Sequence, residues 1–453
     1  MREKHQKQMP IIKPISSDHP QAKELAAIES IINEKKNISD DILNDLNKGK
    51  VFKSNKGANG MSAEQVLRAA IVMSLFGYTY KDLAFHISDS ETLRSFCLIG
   101  ICDKGFKKSA LNSNIKKISD ETWEKILREL VGYAKEEDIE KGREVRMDCT
   151  VVESNIHKPT DATLLWDCVR VLTRLILFAI ATFGIKINFT DHQRRAKRRM
   201  TGIEYAKKEK DRNSKYKDLI KVTKKVLGYA ENALEVLEAL PFLDYKLLGL
   251  ITDLKHYIKL TKKVIDQTER RVFGNEKVPA SEKVFSIFED HTDIIIKDSR
   301  EKHYGHKICL TGGASNLILD CVILEGNPAD STLVEDMLDR QNEIFKRYPL
   351  KAALDGGFAS KDNLETAKNK GVKDVCFAKK RGLDVEDMCR SEYVYKRLRK
   401  FRAGIESGIS WLKRTFGLTR CNWKGFQSFK CYVLSSIVAA NLLTLARIKL
   451  ATP

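Results

Sequence analysis

Apolar residues recur at helical spacing through the first third of the chain. The segment Met61–Gly77 carries an apolar stripe on one face and a Ser-x-x-Gln capping pattern at its start, which predicts a helix. Shorter helical patterns follow at Tyr80–Ser88 and at Glu91–Leu98, with polar residues between them. Residues 1–20 are polar and proline-containing, and we expect a loose arm there.

The period of the apolar pattern changes near residue 145. Val145–Val152 is short, alternating and rich in β-branched residues, as in a strand. From Ala162 to about Arg271 the pattern is helical and dense in charge. Strand patterns return with Ser286–Ile296 and two further runs, in which Gly312 and Gly313 predict a hairpin turn.

The last third alternates between helix and strand. A helix is predicted over Asp330–Tyr348, then a strand that ends at Asp355, a helix over Lys361–Lys370, a strand over 375–380 and a long helical pattern from Ser391. If the charged helical block is set aside, mixed strands come first and alternating helices and strands follow. This order predicts a three-layer α/β domain with a helical insertion.

Two apolar stretches raise the question of a membrane segment. Leu175–Ile185 is too short to span a bilayer of about 30 Å. Tyr432–Ile448 contains two serines and Asn441, so we expect a buried helix. The N-terminus lacks the apolar run of a signal peptide. We therefore expect a protein of the cytoplasm with no membrane partner.

The net charge of the chain indicates which class of partner it binds. The chain has 80 Lys+Arg against 61 Asp+Glu, a formal net charge of +19, which favours a polyanion such as nucleic acid. A cationic protein that binds a membrane surface would share this balance. The short N-terminal helices fit a helix-turn-helix-like bundle on DNA and an ordinary packing domain equally well. The ten cysteines lie far apart without Cys-x-x-Cys spacing, which disfavours disulfides and zinc.

Two aspartates lie in or beside predicted strands. Asp148 interrupts an apolar strand, where a buried carboxylate needs a partner or a cation. Asp355 follows a strand and precedes two glycines, a position where α/β folds place ligands. The alternatives are a structural aspartate bonded to an amide or an arginine for Asp148, and a simple turn residue for Asp355.

A third set of residues lies on one face of the long C-terminal helical pattern. Arg402, Glu406 and Lys413 are spaced by four and seven residues, beside an apolar stripe that would dock the helix on the sheet. A solvated salt-bridge ladder is the alternative. Gly404 and Gly408 disfavour it, because each costs about 1 kcal/mol in a helix and implies a close approach.

Three carboxylates at one sheet edge would repel one another without cations. Oxygen ligands favour Mg²⁺ or Mn²⁺, and two such ions would suit phosphodiester chemistry. Arg402 and Lys413 would then hold DNA phosphates.

Several separated phrases resemble bacterial insertion-sequence transposases of the DDE class. They include MDCTVVESNIHKPTDATLLWDCVRVLTR, EDHTDIIIKDSREKHYGHKICL, ALDGGFASKDNLETA and FRAGIESGISWLKRTFGLTR, and they extend over roughly residues 55–448. The resemblance implies an RNase H-like mixed sheet flanked by helices, an all-α N-terminal domain and a helical insertion after the first catalytic strand. It divides the chain into an arm with leading helices (1–54), a helical domain (55–140) and a catalytic domain (141–453) whose insertion covers about 162–280.

The resemblance assigns roles residue by residue. Asp148, Asp355 and Glu406 take the positions of the catalytic, metal-binding triad, separated by 207 and 51 residues. Arg402 and Lys413 match the Tyr-x2-Arg-x3-Glu-x6-Lys signature. Its tyrosine position is occupied by Arg399, and Tyr395 lies one turn earlier, so a stacking role for a tyrosine there is in doubt.

Two further features have alternative interpretations. The insertion carries a basic run that would contact DNA or form a solvated face: Arg194, Arg195, Lys197, Arg198 and Arg199. His157, nine residues after Asp148, would touch the scissile phosphate or only hydrogen-bond within a turn.

The combined hypothesis is a DNA transposase. It would bind the terminal repeats, cut at the element ends and join the freed 3′-OH to target DNA, with two Mg²⁺ or Mn²⁺ ions per site. Double-stranded DNA would be the partner, in a homodimeric complex associated with the bacterial nucleoid. The alternatives are an inactive DNA-binding relic and a stand-alone metal-dependent nuclease.

Overall fold

The structure is a computed structural model, and it describes residues 3–5, 11–12, 15, 17–35, 37–48, 60–241, 244–297 and 301–451. The chain forms two compact units. One combines Met1–Glu153 with His306–Pro453, and the other is Ser154–Gly305. The second unit contains the predicted insertion of about 162–280.

Helices fill the described part of the chain before the first strand. They are α1 Pro20–Glu34, α2 Ile38–Asn47, α3 Ala63–Phe76, α4 Tyr80–Asp89, α5 Glu91–Phe96, α6 Lys108–Ile115 and α7 Asp120–Glu136. The capping pattern predicted the start of α3 correctly, because Ser62 accepts from the backbone of Gln65 and the Gln65 side chain accepts from Ser62 N. Half of the predicted loose arm over residues 1–20 lies outside the described residues.

The first unit is built on a mixed sheet. Its strands are β1 Glu144–Ser154, β3 Glu301–Gly312 (which begins in the second unit, after β2 Asp293–Lys297), β4 Ile318–Ile323, β5 Lys351–Leu354, β6 Asp374–Phe377 and β7 Arg420–Cys421. The order across this unit is β4-β3-β1-β5-β6, and β7 pairs with β1. β3 and β4 are antiparallel, whereas β1, β5 and β6 are parallel.

From β4 onward, helices alternate with the strands of this unit. They are α12 Val334–Phe345, α13 Lys361–Asn369, α14 Val385–Met388, α15 Glu392–Thr415 and α16 Phe426–Ala451. The α/β class predicted from the pattern is therefore confirmed. The apolar residues of α1–α7, the sheet and these helices form one continuous core, so the N-terminal helices share their buried surface with the sheet.

The second unit is mainly helical and has a core of its own. Its helices are α8 Asp161–Phe183, α9 Gln193–Glu204, α10 Glu209–Glu238 and α11 Tyr245–Val272. β2 pairs with the first half of β3 in an antiparallel ladder. The charged block predicted as helical thus contains four helices in sequence.

Two strand predictions need correction. The strand expected over Ser286–Ile296 begins only at Asp293, because the Ser286 hydroxyl accepts from the backbone of Phe288 and Glu289 and forms a turn there. The turn between β3 and β4 is longer than the two-glycine turn predicted at Gly312 and Gly313. Residues 313–317 connect the strands, and Gly313 N donates to the carbonyl of Leu317.

The helix α16 is buried, as predicted from its polar residues. It is long and apolar enough to cross a membrane by length and composition, and most of its apolar window is buried. Asn441 explains the polar interruption. Its side chain accepts from Ile318 N at 3.0 Å and donates to Ile318 O at 2.7 Å, so it pairs both backbone groups at the start of β4.

Asn441→Ala is expected to lower the free energy of unfolding by about 2–4 kcal/mol, because it leaves two buried backbone groups of Ile318 unpaired. Urea unfolding of the full chain measures the change. Thr444→Ala is the matched control, since Thr444 donates only to its own helix at Ala440 O, and we expect a cost of about 1 kcal/mol or less. Equal costs for the two variants would contradict this role of Asn441.

Candidate active site

Two aspartates meet where β1 lies beside β5. The parallel register pairs Met147 of β1 with Leu354, the last residue of β5, and Asp148 and Asp355 are the next residues along the chain. Asp148 is inside β1, and its Oδ1 accepts from Cys149 N at 2.8 Å. Asp355 directly follows β5, and its carbonyl accepts from Phe358 N in the following turn. The sheet therefore fixes both carboxylates at neighbouring positions.

The helix α15 brings the third carboxylate. Ser391 caps this helix by accepting from Val394 N, and the buried Ile405 and Leu412 form its apolar face. α15 packs against β5 and β6. Glu406 follows Ile405 at the edge of this face, and its side chain is 55% exposed.

A buried arginine determines how closely α15 approaches the sheet. Arg146, on β1, donates to Phe401 O at 3.0 Å and to the Asn316 side chain at 2.7 Å. A Cβ on Gly404 would lie 1.8 Å from Arg146 Nη1, so any larger residue there would force the guanidinium of Arg146 or the helix to shift. At Gly408 nothing lies within 4 Å. The close approach inferred from the two glycines therefore involves protein at Gly404, and no described neighbour requires it at Gly408.

All three carboxylates converge on one nitrogen of Arg402. Its Nη2 lies 2.8 Å from Glu406 Oε1, 3.0 Å from Asp355 Oδ1 and 3.6 Å from Asp148 Oδ2. The Arg402 side chain is only 14% exposed. The predicted triad is thus brought together, and a guanidinium lies at its centre.

The role of Arg402 as a ligand of DNA phosphates stays a prediction. In the structure its guanidinium pairs with the acids of its own chain. The reason is electrostatic, because three converging carboxylates need a nearby cation. Lys413, the other predicted phosphate ligand, is half-buried two turns after Glu406 on α15.

The donor set suits a divalent cation. Carboxylate oxygens are the ligands that Mg²⁺ and Mn²⁺ prefer, and all three acids place an oxygen within 3.6 Å of one atom. Among the described residues no group of three acids, histidines or cysteines is close enough to hold an ion as it stands. The three oxygens lie 2.8–3.6 Å from the guanidinium nitrogen, whereas the oxygen ligands of a Mg²⁺ ion lie about 2.1 Å from it. The three acids are therefore too widely spaced to bind one ion together. The chemistry therefore fits, provided that Arg402 moves.

Tyr395 has a structural role in this arrangement. Its hydroxyl donates to Phe377 O at 2.9 Å, which ties α15 to the end of β6. Burial raises the pKa of Tyr395, so the phenol stays protonated and remains a donor. Lys380 lies over its ring at 5.5 Å. Arg399, which takes the tyrosine's place in the signature, is exposed.

Sequence reasoning missed a basic loop at the same sheet edge. Lys379, Lys380 and Arg381 follow β6, and all three are exposed. A Cβ on Gly356 would lie 2.7 Å from Lys379 Cβ, so the loop passes against the turn after Asp355. None of the three cations forms an ion pair with a described acidic residue. The strand predicted over 375–380 ends at Phe377, so Lys379 and Lys380 lie in the loop and not in the strand. The Lys-Lys-Arg run was the signal that should have identified this loop.

The basic run of the second unit divides into two groups. Arg195 and Arg199 both pair with Asp218 on α10, and the bond from Arg195 lowers the pKa of that carboxyl. Arg194, Lys197 and Arg198 are exposed on α9 and form no ion pair with a described residue. The two arginines that pair with Asp218 stabilise the unit, and the other three cations face solvent.

His157 contacts a carboxylate of its own unit. Its Nε2 lies 3.4 Å from Asp167 Oδ2, and Arg170 donates to the other oxygen of the same group at 2.8 Å. Asp167 is buried, and this burial raises its pKa although the contacts with His157 and Arg170 act in the opposite direction. These contacts favour the hydrogen-bonding role among the two that the sequence left open.

One family is similar to part of the chain. Residues 260–442 match the family described as Transposase DDE domain. The match includes Asp355, Arg402 and Glu406 and begins after Asp148. No curated protein and no solved structure matches the chain.

Gly404→Ala is expected to destabilise the protein by about 1–3 kcal/mol, because the new methyl group overlaps Arg146 and displaces α15. Gly408→Ala on the same helix is the control, and open space there predicts a neutral change or a gain of up to about 1 kcal/mol. Urea unfolding compares the two variants. Equal stability of both would show that Arg146 does not set the position of the helix.

Proposed function

We propose that the chain is a DDE-class transposase that binds the ends of a mobile DNA element, cuts there and joins the freed 3′-OH to target DNA. The match of residues 260–442 to the Transposase DDE domain family supports this proposal. The observation that carries the proposal is the convergence of Asp148, Asp355 and Glu406 around Arg402 Nη2. The strand order β4-β3-β1-β5-β6, with helices after the parallel strands, supports an RNase H-like catalytic domain.

Asp148, Asp355 and Glu406 are the residues that would hold two Mg²⁺ or Mn²⁺ ions. When bound, such ions activate an attacking oxygen and stabilise the leaving oxygen in phosphodiester chemistry. The chain's own contribution is positioning: the β1–β5 register fixes two acids, and the docking of α15 through Gly404 fixes the third. Lys413, on the same helix, would hold a DNA phosphate.

DNA would be bound by cations that the protein leaves without internal partners. The second unit has 30 Lys+Arg against 21 Asp+Glu, so a third of the chain carries nearly half of its net charge. Arg194, Lys197 and Arg198 are its exposed cations on α9. Lys379 and Arg381 would hold phosphates beside the acids, because their loop lies against the turn after Asp355.

The remaining parts of the hypothesis are proposals of the same kind. The helices of residues 55–140 would bind DNA, and two copies of the chain would pair two element ends in one complex. The protein would work on the nucleoid in the bacterial cytoplasm, without a membrane partner. The absence of a membrane partner is supported by α16, whose apolar residues are buried in the core of the first unit.

Cleavage of DNA that carries the element's own flanking sequence tests the function. With Mg²⁺, the wild type is expected to nick at the element ends, and Asp148→Asn and Glu406→Gln to lose at least about 1,000-fold in rate, because each removes a carboxylate from the site. Both variants should still bind the ends in a mobility-shift assay.

Three other outcomes would favour other functions. Binding without cutting by the wild type would indicate an inactive relic. Cutting that ignores the end sequence and yields no joined product would indicate a nuclease. Retained cleavage by Asp148→Asn would contradict the assignment of the triad.

A triple variant of the α9 cations tests the DNA-binding surface. Arg194→Gln, Lys197→Gln and Arg198→Gln together should weaken DNA binding, and the slope of log K against log salt should fall by about 0.9 for each lost phosphate contact. Fluorescence anisotropy over a salt series measures both quantities.

Arg195→Gln with Arg199→Gln is the matched control. These arginines pair with Asp218, so their loss should lower stability and change the salt slope little. An unchanged slope in the triple variant would show that α9 does not face DNA.

A further inference from the structure

The guanidinium of Arg402 lies where it excludes a divalent cation. Its Nη2 contacts an oxygen of Asp148, Asp355 and Glu406, so one nitrogen takes the space that the three acids share. Ligands of Mg²⁺ lie at about 2.1 Å, a distance that these oxygens cannot reach together with the nitrogen among them. The guanidinium and a shared ion are therefore alternatives.

Charge leads to the same exclusion. A guanidinium carries a positive charge, which repels a second cation at the same place. The side chain is 14% exposed and Asp148 is 16% exposed, which leaves little solvent to screen repulsion between a guanidinium and an arriving ion. An ion can enter the acid cluster only when Arg402 leaves it.

The arrangement also leaves one polar atom unsatisfied. Arg402 Nε is buried and has no hydrogen-bond partner among the described residues. An unpaired buried donor costs about 1–3 kcal/mol. The position of Arg402 among the three acids is therefore less stable than an ion pair in which every donor is hydrogen-bonded. A phosphate that accepted hydrogen bonds from both Nε and Nη2 would give Nε a partner, since arginine binds phosphates through two parallel hydrogen bonds.

We propose that Arg402 is an internal counter-cation that keeps divalent ions out of the acid cluster until a DNA phosphate draws it away. Binding of the ions and binding of DNA are then coupled, and each raises the affinity for the other by the same factor. The acids stay neutralised between reactions, and the site opens to ions only on its substrate. The DNA half of this proposal rests on the proposed function.

Calorimetric titration with Mn²⁺ tests the proposal on the full chain without DNA. Arg402→Gln keeps most of the length of the side chain and removes its charge, and its Mn²⁺ dissociation constant should be about tenfold lower than that of the wild type or lower still. Arg402→Lys keeps the charge and should remain near the wild type. Arg399→Gln, one turn earlier on α15, removes an exposed charge and should change the constant by less than about threefold.

The same titration is repeated in the presence of a duplex that carries the element's end. Wild-type affinity for Mn²⁺ should rise about tenfold with DNA, and Arg402→Gln should lose most of this rise because its site is already open. Thermal unfolding and circular dichroism confirm that each variant is folded.

The outcomes separate the two proposals. Equal Mn²⁺ affinity of wild type and Arg402→Gln, with binding lost in Asp148→Asn, would overturn the counter-cation and leave the metal-dependent function standing. No Mn²⁺ binding by any variant, with or without DNA, would overturn both. If Arg399→Gln raised the Mn²⁺ affinity as much as Arg402→Gln does, the effect would be due to net charge. That result would overturn the specific role of Arg402.

Discussion

The mutual repulsion of three carboxylates is the constraint around which the first unit is organised. Asp148 and Asp355 come from adjacent strands and Glu406 from a helix, and no single segment of the chain brings them together. Such a cluster is unfavourable unless a cation compensates it. In this structure Arg402 supplies that cation from the same helix as Glu406, one turn away.

The position of the helix that carries both residues depends on a second buried arginine. Arg146 reaches from β1 to the backbone of Phe401 and rests where Gly404 has no side chain. Tyr395 fixes the beginning of the same helix by its bond to Phe377 O. The contacts of Arg146 and Tyr395 thus set how closely α15 packs against the sheet. Glu406, at the edge of this helix, lies near Asp148 and Asp355 as a consequence.

The positive charge of the protein has two uses. Some cations neutralise acids within the chain, as Arg195 and Arg199 do for Asp218. Others, such as Arg194 and Lys379, are exposed and form no ion pair with a described acid. The formal charge of +19 predicts a polyanionic partner, and only the pairing pattern identifies which cations remain for it.

Local residue patterns are enough to predict the helices and strands and to identify the acids. Capping at Ser62, the helical block after Ala162 and the strand around Asp148 follow from residues a few positions apart, and the structure has each of them. The motifs singled out Asp148, Asp355 and Glu406, which the fold brings to one place. The domain division at 54 and 140 stays a prediction.

Which charged side chains pair with one another depends on the tertiary fold. The partner of Arg402, the residue that approaches Gly404 and the pairing of Asp218 all depend on side chains from different elements, and Arg146 lies more than 250 residues before Gly404. A spacing of four residues on a helix permits a phosphate ligand and an ion pair equally. Which one forms depends on the field of acids that the β1–β5 register creates, and that register is a long-range property of the sheet.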